Sequence, residues 1–536
     1  MKKSLLFVLL IISFSAFSQQ DAWVYFNAKP NSSTYLSNPL SMLTQRALDR
    51  RTAQGISLDV SDVPIYQPYI DQITSSTGIT VYAKSKWLNC LHIRGSQSDI
   101  MALTALSFVD HIRFADNTLN LKMTIPKLIK PVNKKFDINV SYNYGNSINQ
   151  IQMLNGHLLH QQNYTGEGKI IAVLDAGFPG VNTAQPFQRL FDNNLVLGGY
   201  DFVNKNTNFY TGNAHGTMVL STMGGYTDGQ LVGTAPNAGY YLFITEDVNS
   251  ENPVEESNWV EAAEEADRLG VDIINSSLGY FEYDNPAYSH TYSDMTGNTN
   301  FASQGANMAF SKGIVVVASA GNNAESVEPH VGVPAEALHV LAIGAVTNME
   351  AYATFSSIGP SFDGRVKPDV VAQGQSSVVS YIDGAIVTGS GTSFSGPIMA
   401  GMIASFWQAV PTLTNQQIID VVKQSADKFT TPDIYYGYGI PNFQLALTNA
   451  LAIKSFSNTT FTLYPNPVQE MISLGFPDAF DTTTFTLFNL LGQTVLEKKV
   501  IKSDSSVSLE SLHSGIYYYK IESNTYSQSG KIIKNK

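Results

Sequence analysis

A single cysteine in 536 residues leaves no partner for an intramolecular disulfide and excludes thiolate metal clusters. That residue, Cys90, lies in the apolar run "WLNCLHI" and reads as a small buried side chain rather than a nucleophile. Charge is also scarce, at 14% of residues, and 32 basic residues face 44 acidic ones for a net charge of −12. A surface so short of cations does not suit a phosphate backbone, which excludes nucleic acid as a partner. A membrane-crossing run of ~20 apolar residues is missing too. The nearest approach is the beginning, "MKKSLLFVLLIISFSAFSQQ". Its charged Lys2 and Lys3, apolar Leu5 to Ile12 and small-residue Ala16-Phe17-Ser18 read as a secretory signal over residues 1–18, cut after Ser18. The mature protein is therefore expected to be exported and not membrane-spanning.

What is present is 43% apolar residues, ample for a large core, on a chain long enough for several domains. Residues 19–130 read as a small α+β unit: "AWVYFNA" and "TVYAKSKWLNCLHI" are strand-like, and "SMLTQRALDRRTAQ" has helical spacing. Across 131–453, short apolar runs ("KIIAVLDAG", "GYYLFIT", "VDIINSSLG", "GIVVVASAG", "ALHVLAIGAV") alternate with helical stretches. That alternation predicts a parallel sheet covered by helices on both faces, with active groups where strands end and helices begin. Over 455–536 helical patterning stops, and short alternating strands divided by turn residues predict a small all-β sandwich.

Three polar residues stand beside small or glycine neighbours at such junctions: Asp175 in "VLDAGF", His215 in "NAHGTMVL" and Ser393 in "GTSFSGPIMAG". Singly, each is ordinary: an Asp at a strand end forms turns or caps helices, and a Ser among glycines is loop. Together they supply a nucleophile, a base to take its proton and a carboxylate to orient the base. Their chain order, Asp, His, Ser, differs from the Ser, Asp, His of α/β-hydrolases. The only histidine after Ser393 is His513, in the terminal β region, and the G-x-S-x-G elbow is missing its second glycine.

These segments resemble the subtilisin-like serine peptidases, the subtilases, through "VLDAG", "HGT" and "GTSFSGP". "VGTAPNA", "NSSLG", "ASAGNNA" and "KPDVVAQG" fall between or around them in the family's order. The resemblance implies an endopeptidase in which Asp175 orients His215, His215 acts as general base, and Ser393 attacks the scissile carbonyl. It assigns Asn322 to the oxyanion hole, and Ser277, Leu278 and Gly279 to pairing with extended substrate backbone. Gly332, in "VGVP", would leave the first specificity pocket open for a large apolar side chain. Ser395 would be a packing or capping residue and Ser390 part of the approach loop; Pro397 reads as lying near the helix's first turn, where its nitrogen needs no partner. Ala176 replaces a frequent Thr or Ser, and Met218 a frequent polar residue.

By the same resemblance, residues 19–130 are an inhibitory, chaperone-like prodomain removed between about Asn117 and Asn139. "LYPNPV", "LFNLLGQTVLEKK" and "LHSGIYYYKIES" resemble the C-terminal sorting domain of type IX secretion, which implies that machinery as a partner and a secreted or surface-attached product. No cofactor is required by this chemistry; structural calcium, common in the family, is not evident in the sequence. No residue is assigned to a metal, because His157 and His160 share a helix face without a third ligand. Glu261, Glu264 and Glu265 read as a solvated helix face, and "IPKLIKPVNKK" as an exposed linker. The competing class is a non-catalytic adhesin on the same scaffold, against which the full set Asp175, His215, Asn322 and Ser393 argues.

Overall fold

The computed structural model describes residues 19–120, 142–457, 461–477, 480–502, 504–523 and 526–535. The expected signal, the basic linker and most of the expected prodomain cleavage window lie outside those residues. Two compact units divide the chain, one ending at Leu447 and the other running from Thr448 to the C-terminus.

The first unit is built on seven strands: β5 (Ile170–Asp175), β6 (Val196–Asp201), β7 (Gly239–Ile244), β8 (Ile273–Ser276), β9 (Val315–Ser319), β10 (Leu341–Val346) and β11 (Val370–Gln373). They form one sheet in the order β11-β10-β9-β8-β5-β7-β6, and every neighbouring pair is parallel. Such strands are buried on both faces, which explains their unbroken apolar runs. Ala172, Leu174, Ile274, Val316, Ala318 and Ala342 share a cluster with Trp259, Val260 and Phe301 of two helices, α3 (Val254–Leu269) and α4 (Phe301–Ser311). Side chains of opposite parity, such as Ile171, Val173, Ile273 and Val317, are equally buried and point the other way. The long helix α5 (Thr392–Ala409) packs along β5 and β8 to β11, and α2 (His215–Gly224) packs against α5.

In front of this sheet is a smaller antiparallel one, β2-β3-β1-β4, made of β1 (Gln19–Phe26), β2 (Thr80–Ser85), β3 (Cys90–Ser96) and β4 (Val109–Phe114). It lies on α3 and α4. Trp23 stacks on Phe301 at 4.8 Å and donates its indole N–H to Ser257 at 2.9 Å. Cys90 is fully buried in the same cluster, so the thiol is a core group. Helix α1 (Gln45–Ala53) brings two arginines to the seam: Arg50 meets Asp267 at 2.5 Å, and Arg51 bridges Asp62 and Asp267, each at 2.8 Å.

The helix face bearing Glu264 is not solvated. Its carboxylate accepts from the Ser85 hydroxyl at 2.7 Å and from the backbone N–H groups of Lys86 (3.0 Å) and Trp87 (2.9 Å), across the seam. Only Glu265, paired with Arg268, matches a solvated reading: Glu261 pairs with Lys205 but is 12% exposed and accepts the Lys84 N–H at 3.3 Å across the same seam. A polar helix stripe is solvated only when nothing docks on it, and here an N-terminal domain some 180 positions earlier supplies the donors.

The second unit is all-β beyond residue 461. One sheet joins β12 (Thr462–Tyr464), β13 (Met471–Gly475) and β16 (Ser506–Ser508). The other has the order β15-β14-β17-β18, from β14 (Thr482–Phe488), β15 (Thr494–Ile501), β17 (Gly515–Ser523) and β18 (Tyr526–Lys534). Ile472, Leu474, Phe485, Leu487, Ile521 and Ile532 form its buried core.

Candidate active site

Asp175 is the last residue of β5, His215 the first of α2 and Ser393 the second of α5, so all three lie where strands end and helices begin. Asp175 is fully buried and its Oδ1 accepts from His215 Nδ1 at 2.7 Å and from the Ala176 N–H at 2.8 Å. Its Oδ2 is buried without a hydrogen-bond partner among the described residues, beside the position where Ala176 offers no hydroxyl. Holding Nδ1–H on a carboxylate leaves Nε2 as the basic nitrogen. Burial pulls the His215 pKa down, but the charge and hydrogen bond of Asp175, helped by Glu246, override it and leave the imidazole above its ordinary value.

Ser393 lies across from this pair, with Phe394 placing its ring 6.2 Å from the His215 ring. The Ser393 hydroxyl donates to the Ser277 carbonyl at 3.4 Å, and His215 Nε2 makes no hydrogen bond among the described residues. The hydroxyl therefore leaves the Ser277 carbonyl before it meets the imidazole; looseness of this kind is common without substrate.

Asn322 is locked from behind. Its Oδ1 accepts from the backbone N–H of Thr392 at 2.9 Å and from the Thr392 hydroxyl at 3.0 Å. A backbone N–H can only donate, so the oxygen must face it and the Nδ2 donors must face away. The Thr392 carbonyl is held in turn by Ser319 at 2.8 Å. Thr392 is thus a positioning residue that a search for reactive groups passes over; its one signal is its place directly before Ser393. The turn into α5 runs through Gly391 at φ +150°, a conformation that side-chain-bearing residues rarely adopt. The Ser393 N–H, in the first turn of α5, has no intrahelical acceptor and is available to an anion.

Ser277, Leu278, Gly279, Asn322, Gly332 and Ser393 line one pocket of about 170 Å³. Gly279 is exposed and lies three residues beyond the end of β8, where a peptide backbone can approach. A Cβ at Gly332 would lie 3.4 Å from both the Phe281 ring and the Tyr280 carbonyl, in close van der Waals contact with the pocket wall. The neighbouring serines do other work: Ser395 donates to the Thr392 carbonyl and Ser390 accepts from the Ser376 N–H.

Pro397 is not in the first turn. It is the sixth residue of α5, so its missing N–H leaves the Ser393 carbonyl without the usual helical donor. Ser277 Oγ donates to that carbonyl at 3.0 Å and is itself anchored by Asn275 at 3.2 Å. His160 is consumed by the Tyr144 hydroxyl and the Thr234 carbonyl, and burial lowers its pKa to about 4. Among the described residues no group of three or more His, Cys, Asp or Glu is arranged to hold a metal.

Truncating Asn322 to Ala is expected to lower kcat by about 100- to 1,000-fold with little change in KM, the usual size for losing one oxyanion donor. Steady-state kinetics on a short peptide amide reads both parameters; an effect confined to KM would contradict the assignment.

Residues 166–439 match the family model of the subtilases, residues 21–131 that of the peptidase S8 propeptide domain of Bacteroidota, and residues 462–535 that of the secretion system C-terminal sorting domain. Subtilisin NAT from Bacillus subtilis subsp. natto is 32% identical over 312 residues, covering 57% of this chain and 73% of the relative. Subtilisin from Bacillus pumilus is 32% identical over 300 residues, covering 55% and 97%. A thermostable alkaline protease from Halalkalibacterium halodurans is 27% identical over 286 residues, covering 53% and 69%. The sorting domain marks the product for secretion and cell-surface attachment. With the propeptide match preceding it in sequence and the sorting-domain match following it, the central domain is that of a subtilisin-like serine peptidase, and the chain belongs to the subtilase family.

Proposed function

We propose that this protein is an exported serine endopeptidase that cleaves peptide bonds through Asp175, His215 and Ser393. The Ser393 hydroxyl attacks the scissile carbonyl as His215 Nε2 takes its proton, and Asp175 stabilises the resulting imidazolium. The oxyanion receives the Asn322 Nδ2–H and the Ser393 backbone N–H. His215 then hands the proton to the leaving amine, and a water activated by the same nitrogen releases the acyl group from Ser393. Every group in this sequence comes from the chain or from water, so no cofactor takes part.

The observation that carries this reading is the 2.7 Å contact from His215 Nδ1 to Asp175, because it fixes the tautomer that makes Nε2 a base. Substrate main chain pairs with Ser277, Leu278 and Gly279, and the side chain before the cut enters the pocket beside Gly332, with large apolar groups preferred. Residues 19–130 act as a prodomain that keeps the enzyme inactive until removed, and the sorting domain engages type IX secretion machinery.

Casein hydrolysis by the processed protein, with Ser393→Ala as control, tests the reading. Hydrolysis that disappears in the variant supports it, and hydrolysis that survives in the variant overturns it.

A further inference from the structure

A second pocket, of about 350 Å³, opens beside the catalytic pair and shares no lining residue with the pocket at Gly332. Its wall includes Ala176, next in sequence to Asp175, and Asn213, whose side-chain oxygen accepts the His215 N–H at 2.9 Å. Its charged lining is wholly acidic: Asp201, Glu246 and Asp247 line it, and no Lys, Arg or His does.

These carboxylates are not equivalent. Asp201 is saturated, with Oδ1 taking the N–H groups of Val203 and Asn204 and Oδ2 taking the Asn204 side-chain amide. Asp247 takes the Asn249 N–H at 3.1 Å and its side-chain amide at 2.8 Å, both on Oδ1. Glu246 is the one of the three held by Tyr280, which also lines the first pocket. The Tyr280 hydroxyl donates to its Oε1 at 2.6 Å and Thr245 at 3.3 Å, while no described residue bonds its Oε2. Lys205, next in sequence to the lining residue Asn204, is turned to Glu261 and Asn258, while the His215 imidazole feels the Glu246 charge. Burial holds the Glu246 carboxyl well above the ordinary carboxylate range, and although the Tyr280 hydroxyl opposes this, the Glu251 charge adds to it. A carboxylate so placed gains from a cation that arrives with the ligand.

The geometry of an extended peptide says which residue brings it. Successive side chains of a strand point to opposite faces. If the side chain before the cut enters the pocket beside Gly332, the one before that points over His215, into the acidic pocket.

We propose that Glu246 is a specificity-determining residue that selects lysine or arginine at the second position before the cut. The inference rests on the catalytic reading above and deepens it: the enzyme acts on peptides with a basic residue followed by a large apolar one at the cleavage point. Tyr280 serves both pockets, lining the first and fixing the Glu246 carboxylate of the second.

The test uses the processed enzyme and fluorogenic peptides with Phe before the cut and a varied second position. Lysine is compared with norleucine, arginine with citrulline, and glutamate serves as the repelled case. The expected kcat/KM is at least about tenfold higher for lysine than for norleucine, a ratio worth about 1.4 kcal/mol, with glutamate lowest. Glu246→Gln should bring the lysine-to-norleucine ratio to near one, and Glu246→Lys should place glutamate above lysine. A flat wild-type profile with good norleucine cleavage overturns this proposal alone, as does a lysine preference that survives in Glu246→Gln. Absence of all cleavage, with no fluorophosphonate labelling of the wild type, overturns the catalytic reading and this one with it. A flat wild-type series overturns the proposal even where Glu246→Gln fails to fold, and Glu246→Lys then serves as the second variant.

Discussion

Replacing His215 with Ala is expected to lower kcat by about a millionfold, and the double variant His215→Ala/Ser393→Ala to be no worse than either single one. The size is that known for the corresponding groups in subtilisin. The non-additivity follows from the mechanism: without its base the Ser393 hydroxyl is not a competent nucleophile, and without the hydroxyl the base has nothing to deprotonate. The residual rate comes from the donors at Asn322 and Ser393 N–H, which neither substitution needs to disturb. Here His215 is held by Asp175 on one side while its Nε2 is unengaged, so its loss removes the acceptor without breaking a bond to Ser393. Active-site-titrated kinetics on a peptide ester and a peptide amide would measure this. Additive losses in the double variant would show that the two residues act independently.

The second large effect belongs to Asp175. Asp175→Asn is expected to cost about 10⁴-fold in kcat, because an amide can present its N–H to Nδ1 and invert the tautomer. A shift in pH dependence should accompany the loss. His215 works as a base only when neutral, so activity appears as pH rises through its pKa. In the native enzyme that pKa lies above the ordinary value of 6.5, since Asp175 outweighs burial. In the variant burial remains while its main opponent is gone, so the acid limb of kcat/KM should move to lower pH. Movement in the other direction, or none, would contradict the account of the pair.

Much of this site was legible in the sequence because its parts are local. Asp175, His215 and Ser393 each sit at a junction between an apolar strand or glycine-rich loop and a helix, and a junction can be read from a few neighbouring residues. The central parallel sheet was legible for a similar reason: "IIAVLD" and "VVVAS" are too uniformly apolar for strands with a solvated face.

What was not legible depends on distant partners. Glu264 reads as exposed because its own helix says so, while the Ser85, Lys86 and Trp87 groups that bury it come from another domain. Pro397 reads as an initiating proline because proline is common there, whereas α5 begins earlier, at Thr392, and Ser277 supplies the compensating donor. Glu246 ends an apolar strand region much as Asp175 does, and that parallel was the available signal. Its significance emerges only when Tyr280 and the pocket beside His215 are placed around it.

The central claim is that Ser393, and neither Ser390 nor Ser395, is the nucleophile. Mapping the adduct of a fluorophosphonate on the processed enzyme by peptide mass spectrometry tests it most directly. One adduct per molecule, on Ser393 and absent from Ser393→Ala, is the result this account predicts; an adduct on another residue, or undiminished labelling of Ser393→Ala, would contradict it.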